Sequence, residues 1–207
     1  MEMMASREPM ESPGSEIPPR VLLQAYARGA FPMAHEGQLL WFSPDPRGII
    51  PIDDFHVPHG LRRAIKDPAW EIRMDTAFDR VLDACAEREE TWIDTCIRTS
   101  YLRLHALGFA HSVEVWRDGE LAGGLYGVRL GGAFFGESMF HRVRDASKVA
   151  LHALVGGLRR GGFTLLDTQW MTDHLRQFGG CEIRRSAYLR LLRRAVANTD
   201  CQLRVGS

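Results

Sequence analysis

The chain has almost no lysine, no net charge, no paired cysteines and no long apolar run. Of its 26 basic side chains only Lys66 and Lys148 are lysines, and the rest are arginines. The four cysteines, Cys85, Cys96, Cys181 and Cys201, form no C-x-x-C pair. That excludes the common zinc and dithiol motifs. Reduced thiols are the simple reading, with Cys85 a small hydrophobe on the buried face of a helix. No stretch reaches the ~18 apolar residues of a membrane helix. The opening segment, MEMMASREPMESPGSEIPP, is acidic and rich in proline and serine, without the apolar core of a signal peptide. A disordered lead-in over residues 1–18 and a cytoplasmic chain with no membrane partner are expected.

Catalytic signatures are missing too. The eight histidines include no H-E-x-x-H, and His56 and His59 have no third ligand at helical spacing. There is no G-x-x-x-x-G-K-[ST] and no G-x-G-x-x-G, so Gly123, Gly124 and Gly127 read as strand glycines that permit close backbone approach. The run from Gly136 to Phe140, GESMF, begins like a nucleophile elbow but carries Phe140 where the second glycine belongs. No metal and no cofactor are expected.

Zero net charge argues against a nucleic-acid partner only if the charge is evenly spread. It is not. Residues 142–207 hold 12 basic and 5 acidic groups, a balance of +7, which leaves −7 for the rest. Arg62, Arg63 and Lys66 form a basic face inside the acidic part. Arg184, Arg185, Arg190, Arg193 and Arg194 form a second cluster. Such faces are usually just solvated, but both are candidates for phosphate contacts.

Periodicity predicts an α+β fold. A helix spans Arg20–Arg28, and strands are expected at Leu39–Phe42 and Gly48–Ile52. Residues 59–66 suggest a short basic helix and Trp70–Met74 a strand. Helices follow through Phe78, Val81, Leu82 and Cys85 and over 94–107. Alternating, glycine-loosened strands run from Ser112 to Phe140. Then come a helix at 146–160, a buried strand at 163–169, a helix at 172–180, a strand at CEIRR and a helix at 186–198. The expected units are a small N-terminal domain over 19–60 and a second domain over 61–207.

Two carboxylates stand in unusual places. Asp167 and Gln169 share one strand face, with Leu165 on that face and Leu166 on the other. A carboxylate there must be hydrogen-bonded or have a raised pKa. Glu137 interrupts an apolar run, and strict alternation puts Phe135, Glu137 and Met139 on one face. There it could grip a cation or sit at a solvated edge.

Together these stretches resemble the bacterial leucyl/phenylalanyl-tRNA–protein transferases. The matching segments are LLQAYARGAFPM, WFSPDPRGIIP, TWIDTCIRTSYLRLHALGFAHSVEVW, LAGGLYGV, FGESMFHRVRDASKVAL and LLDTQWMTDHLRQFGGCEIRR, in order. The resemblance implies an acyl-CoA N-acyltransferase-like (GNAT-like) catalytic domain behind a small N-terminal domain. It implies transfer of Leu or Phe, with Met a third candidate, from aminoacyl-tRNA to the α-amine of proteins beginning with Arg or Lys, marking them for N-degron proteolysis. A monomer is expected. By the resemblance Asp167 and Gln169 are catalytic. Leu125, Phe134, Glu137, Met139, Leu154 and Leu158 hold the donor side chain, and Trp92, Tyr101, Met33 and Tyr26 join the substrate site. Trp92 and Tyr101 would stack the terminal adenosine, and Met33 stands where a family relative has Trp. Arg62, Arg63 and Lys66 match the basic patch for the tRNA acceptor stem. The ordered segment before the first helix is shorter than in many members. The aminoacyl ester is already activated, so the chemistry needs no cofactor. A CoA-dependent acyltransferase is disfavoured because HRVRDAS, before the central helix, lacks the glycines of a pyrophosphate loop. A non-catalytic tRNA-binding module is the other alternative.

Overall fold

Alternating strands build one large sheet, and apolar helix faces cover both its sides. The computed structural model describes residues 16–35, 37–87 and 91–205. In chain order the elements are α1 (Pro19–Ala27), β1 (Phe31–His35), β2 (Gln38–Phe42), β3 (Arg47–Ile50), β4 (Glu71–Met74), α2 (Phe78–Ala86), α3 (Thr95–Ala106), β5 (Ala110–Arg117), β6 (Glu120–Leu130), β7 (Ala133–His141), α4 (Ala146–Arg160), β8 (Leu165–Gln169), α5 (Asp173–Arg176), β9 (Cys181–Ile183) and α6 (Arg185–Ala197). β1 and β2 form a separate hairpin, and the other seven strands form a sheet in the order β4-β5-β6-β7-β8-β3-β9. The β7–β8 pair is parallel, with α4 as its crossover, and every other pairing is antiparallel. The fold is α+β, as the periodicity implies.

α4 covers one face, where Val149, Leu154, Val155 and Leu158 pack with Phe134 and Leu166. The other face carries Leu22, Tyr26, Ile97, Tyr101, Tyr188 and Leu192, from α1, α3 and α6, around Phe135. α1 begins on Pro19, where a missing N–H costs nothing. α3 begins at Asp94, whose carboxylate accepts from the Ile97 N–H at 2.7 Å.

Three expectations change. Residues 59–66 form two 3-10 turns, His59–Leu61 and Ala64–Lys66, rather than one helix. Gly60 weakens helix propensity there, and the chain takes the tighter 3-10 turn in two short pieces. The helix expected over 172–180 shortens to α5, four residues. Ile17, expected in the disordered lead-in, is buried, and its N–H donates to Ser100 Oγ at 2.7 Å. Residues 1–15 of that lead-in lie outside the described residues. β3 falls before the expected boundary at residue 60, yet it is hydrogen-bonded between β8 and β9.

Candidate active site

The site lies where two parallel strands part. β7 and β8 pair over only three positions: Ala133 with Leu165, Phe134 with Leu166, and Phe135 with Asp167. Beyond them each strand holds one extra residue. Gly127 opposes Gly136 while Tyr126 opposes Ser138, which leaves Glu137 bulged. Ile49 opposes Asp167 while Gly48 opposes Gln169, which leaves Thr168 bulged. Bulges bend a strand and re-aim its side chains. Both here depend on a glycine in the neighbouring strand. A Cβ on Gly127 would stand 2.2 Å from the Phe135 carbonyl oxygen, and one on Gly48 would stand 2.9 Å from the Trp170 carbonyl carbon. The β7 bulge also corrects the alternation expected from sequence. Phe135 packs on the α1–α3 side with Tyr26, whereas Met139 crosses to the α4 side with Phe134 and Leu125.

A cavity of about 350 Å³ fills the gap. Leu125, Met139, Leu151, Leu154 and Leu166 form an apolar wall, Glu137 and Gln169 a polar floor, and Met33 and Trp92 line the same space. Phe134 and Leu158, expected on this wall, are fully buried in the core and do not line it. Tyr26 and Tyr101 are fully buried as well, so neither ring is open to stack on a base. Sequence reasoning missed Phe31 and Trp170, which line the cavity with their rings 5.0 Å apart. Exposure was the missing signal: Trp170 is 43% exposed, and a sequence cannot separate such an aromatic from a core one.

Asp167 is buried and saturated. Its Oδ1 accepts from Arg47 Nε and from the Gln169 N–H, both at 2.9 Å. Its Oδ2 accepts from Arg47 Nη2 and from the Tyr188 hydroxyl, both at 2.6 Å. A carboxylate offers about four acceptor positions, and all are taken. The expected alternatives were hydrogen bonding or a raised pKa, and the hydrogen bonds are there. Arg47 also donates to the Gly29 carbonyl at 2.9 Å and lies over the rings of Phe31 and Tyr188. Burial, the largest single influence, would lower the Arg47 pKa, but the charge and hydrogen bonds of Asp167, with Tyr188 and Glu137, together raise it. Burial, reinforced by the charge of Asp167, pushes the Tyr188 hydroxyl far up. Arg47 and Tyr188 are site residues that spacing alone did not pick out.

Gln169 links the two carboxylates. Its φ of +57° is a left-handed conformation rare for a side-chain-bearing residue. The Asp167 bond to its N–H and the bulge before it hold that conformation. Its amide then donates to Glu137 Oε1 at 3.1 Å.

Glu137 also contacts two tyrosines. The Tyr26 hydroxyl is 2.7 Å from Oε1 and the Tyr101 hydroxyl 3.2 Å from Oε2. The two hydroxyls hydrogen-bond each other. Two phenolic protons must therefore serve three contacts, and a proton on Glu137 closes the ring. Removal from water raises the Glu137 pKa to about 7, aided by the nearby charge of Asp167 and opposed by the Tyr26 hydrogen bond. Burial and the Glu137 charge raise both tyrosines well above their usual value. The carboxylate that titrates near neutrality thus faces the cavity, and the saturated one lies behind it.

Comparison with known proteins fixes the family. The model of the leucyl/phenylalanyl-tRNA protein transferase matches residues 49–193, and that of its N-terminal domain matches residues 15–45. The leucyl/phenylalanyl-tRNA–protein transferase of Nitrobacter winogradskyi is 56% identical over 88% of this chain and 84% of its own. That of Herpetosiphon aurantiacus is 55% identical over 87% of this chain and 95% of its own. This chain belongs to that family.

As a leucyl/phenylalanyl-tRNA–protein transferase family member it is an aminoacyltransferase, acting on aminoacyl-tRNA and protein. Among solved structures, L-PGS of Bacillus licheniformis aligns with TM-score 0.47 at 11% identity over 73% of this chain and 65% of that one, too distant to bear on the site. Among the described residues no helix is long and apolar enough to cross a membrane. Arg62 and Arg63, which link the two 3-10 turns, and Lys66, which ends the second, are exposed and away from the cavity lining. No ion pair holds any of them among the described residues.

Proposed function

We propose that this transferase moves Leu or Phe from its tRNA to the N-terminal amine of proteins that begin with Arg or Lys, marking them for N-degron proteolysis. The observation that carries this reading is the cavity in the strand split, which joins an apolar wall to a polar floor. A Leu or Phe side chain fits the wall of Leu125, Met139, Leu151, Leu154 and Leu166. An apolar pocket separates near-isosteres by only ~1–3 kcal/mol, so Met should also enter. Stringency is unnecessary, because the synthetase has already selected the donor.

The reaction forms one C–N bond and breaks the ester C–O bond. The acceptor amine, with a pKa of about 7.7–8, attacks the ester carbonyl and loses a proton, and the departing ribose oxygen gains one. Glu137 is suited to hold that proton between the two steps, since its pKa lies near that of the amine and it faces the cavity. Asp167, with every acceptor position filled, acts as a positioning residue: it fixes Gln169, and Gln169 fixes Glu137. Trp92 and Met33 are the groups at the rim available to the adenosine. The test supplies labelled Phe-tRNA or Leu-tRNA with peptides starting in Arg, Lys or Gly. Label should pass to the Arg and Lys peptides. No label on the Arg peptide overturns the reading, and equal labelling of all three removes the acceptor preference.

A further inference from the structure

A second cavity, of about 520 Å³, adjoins the first, and Met139 and His174 line both. Its walls differ in kind. Among the described residues Arg142, Arg144 and Lys148 line it with His141 and His174, against two carboxylates, Glu87 and Asp145. Those carboxylates do not cancel the cations. Glu87 pairs with Arg142 at 3.1 Å, while Asp145 is shared between Lys148 at 2.8 Å and Arg144 at 3.6 Å. The Arg144 side chain remains 94% exposed. His174 sits at the junction. The Gln177 amide donates to its Nδ1 at 3.2 Å, which assigns the ring proton to Nε2. That Nε2 is enclosed and has no hydrogen-bond partner among the described residues. Burial, then the positive charges of Lys148 and His141, which line the same cavity, lowers the His174 pKa.

We propose that this second cavity binds the phosphodiester on the 5′ side of the donor's terminal adenosine. This rests on the donor occupying the first cavity. Trp92 lines the first cavity and Glu87, five residues earlier in the chain, lines the second. An adenosine beside Trp92 with its ester over Glu137 and Gln169 places its 5′-phosphate one nucleoside away. A cationic wall there accepts a phosphate and repels an acceptor beginning with Arg or Lys. Arginine and lysine donors suit phosphate oxygens, and the site would add affinity common to every tRNA without reading its sequence.

The test uses two unreactive donor analogues with an amide in place of the ester: 3′-phenylalanylamido-adenosine, and the same compound carrying a 5′-phosphate. Each is measured as an inhibitor of Phe transfer from Phe-tRNA to an Arg-starting peptide. In the wild-type enzyme the phosphate should tighten inhibition ~10-fold, the scale of a charge-assisted hydrogen bond. In the Arg144→Gln, Lys148→Gln double variant the advantage should fall below about 2-fold, with the phosphate-free analogue inhibiting as before. Equal inhibition by both analogues in the wild type overturns the proposal, and so does a variant that weakens both alike. Inorganic phosphate bound in this cavity should be displaced by the phosphorylated analogue. Phosphate that stays bound beside it assigns the cavity to a free anion and overturns the proposal. Inhibition by neither analogue, with transfer intact, takes the donor out of the first cavity and this inference with it. Failure of transfer itself sinks the proposed function instead.

Discussion

Two carboxylates lie one behind the other at the site, and their environments separate their duties. Asp167 faces four donors, whereas Glu137 shares two phenolic protons and one amide. The sequence marks both residues as candidates, but not which of them finds a full set of donors. A buried Asp demands donors, and many arginines could have answered; only the fold selects Arg47. The Glu137 environment has a pH consequence with a definite sign. Its usual pKa of 4.5 applies to the unfolded chain, and about 7 applies to the folded protein. Below the lower value both states hold the proton. Between the two values the folded state keeps a proton that the unfolded state has released, so stability falls as pH rises through this window. Glu137→Gln mimics the protonated acid and has no proton to lose. Its melting temperature should match that of wild type below pH ~4.5 and exceed it increasingly up to pH ~7. A gain that is constant across this range would show that Glu137 does not titrate there. Transfer by the same variant should fall by at least ~100-fold, the usual scale for loss of a proton-transfer group.

At the scale of elements, the periodic parts of the fold were legible and the interruptions were not. α4 runs over the 146–160 expected from its apolar spacing, and α2, α3 and α6 lie within a residue or two of expectation. The meander β5–β6–β7 follows from alternation and glycine content. Neither bulge could be read, because a bulge is a relation between two strands and a sequence shows one strand at a time. The same gap explains why strict alternation puts Met139 on the face of Phe135, whereas the bulge carries it to the other. Gly127 was legible as a site of close approach, though not what approaches it. In the structure it is the Phe135 carbonyl and the Phe134 ring. Gly127→Ala must therefore push β7 away or lose the bulge. A cost of roughly 1–3 kcal/mol is expected from overpacking. Urea unfolding would measure it, and transfer should fall further than stability alone explains, because Glu137 loses its aim. Gly119→Ala is a useful contrast: a φ of +78° makes alanine unfavourable there, but nothing lies within 4 Å of an added Cβ and the turn is remote from the cavity lining. Equal loss of transfer in the two variants would detach the bulge from the chemistry.

Across the whole molecule, zero net charge hides two basic surfaces on opposite sides of one sheet. The turns bearing Arg62, Arg63 and Lys66 belong to the α4 side, where Leu61 and Ile65 join that core. Arg190, Arg193 and Arg194 are exposed on α6, whose buried residues Tyr188, Leu192 and Ala195 join the other core. Zero net charge gives no net long-range pull on a polyanion, so tRNA affinity is expected from local phosphate contacts. Each contact releases condensed counterions and adds to the slope of log affinity against log salt. The slope therefore counts contacts and can be assigned to a surface. Arg62→Ala with Arg63→Ala should flatten it by about 1–2, with binding at high salt nearly unchanged. The Arg190, Arg193 and Arg194 triple alanine variant should leave it unaltered if the acceptor stem lies along the α4 side. If the triple variant flattens the slope and the pair does not, the tRNA crosses α6 instead. That face lies opposite Tyr188 on the same helix, and the Tyr188 hydroxyl donates to Asp167, so tRNA docking there would bear on the hydrogen bonds that hold Asp167.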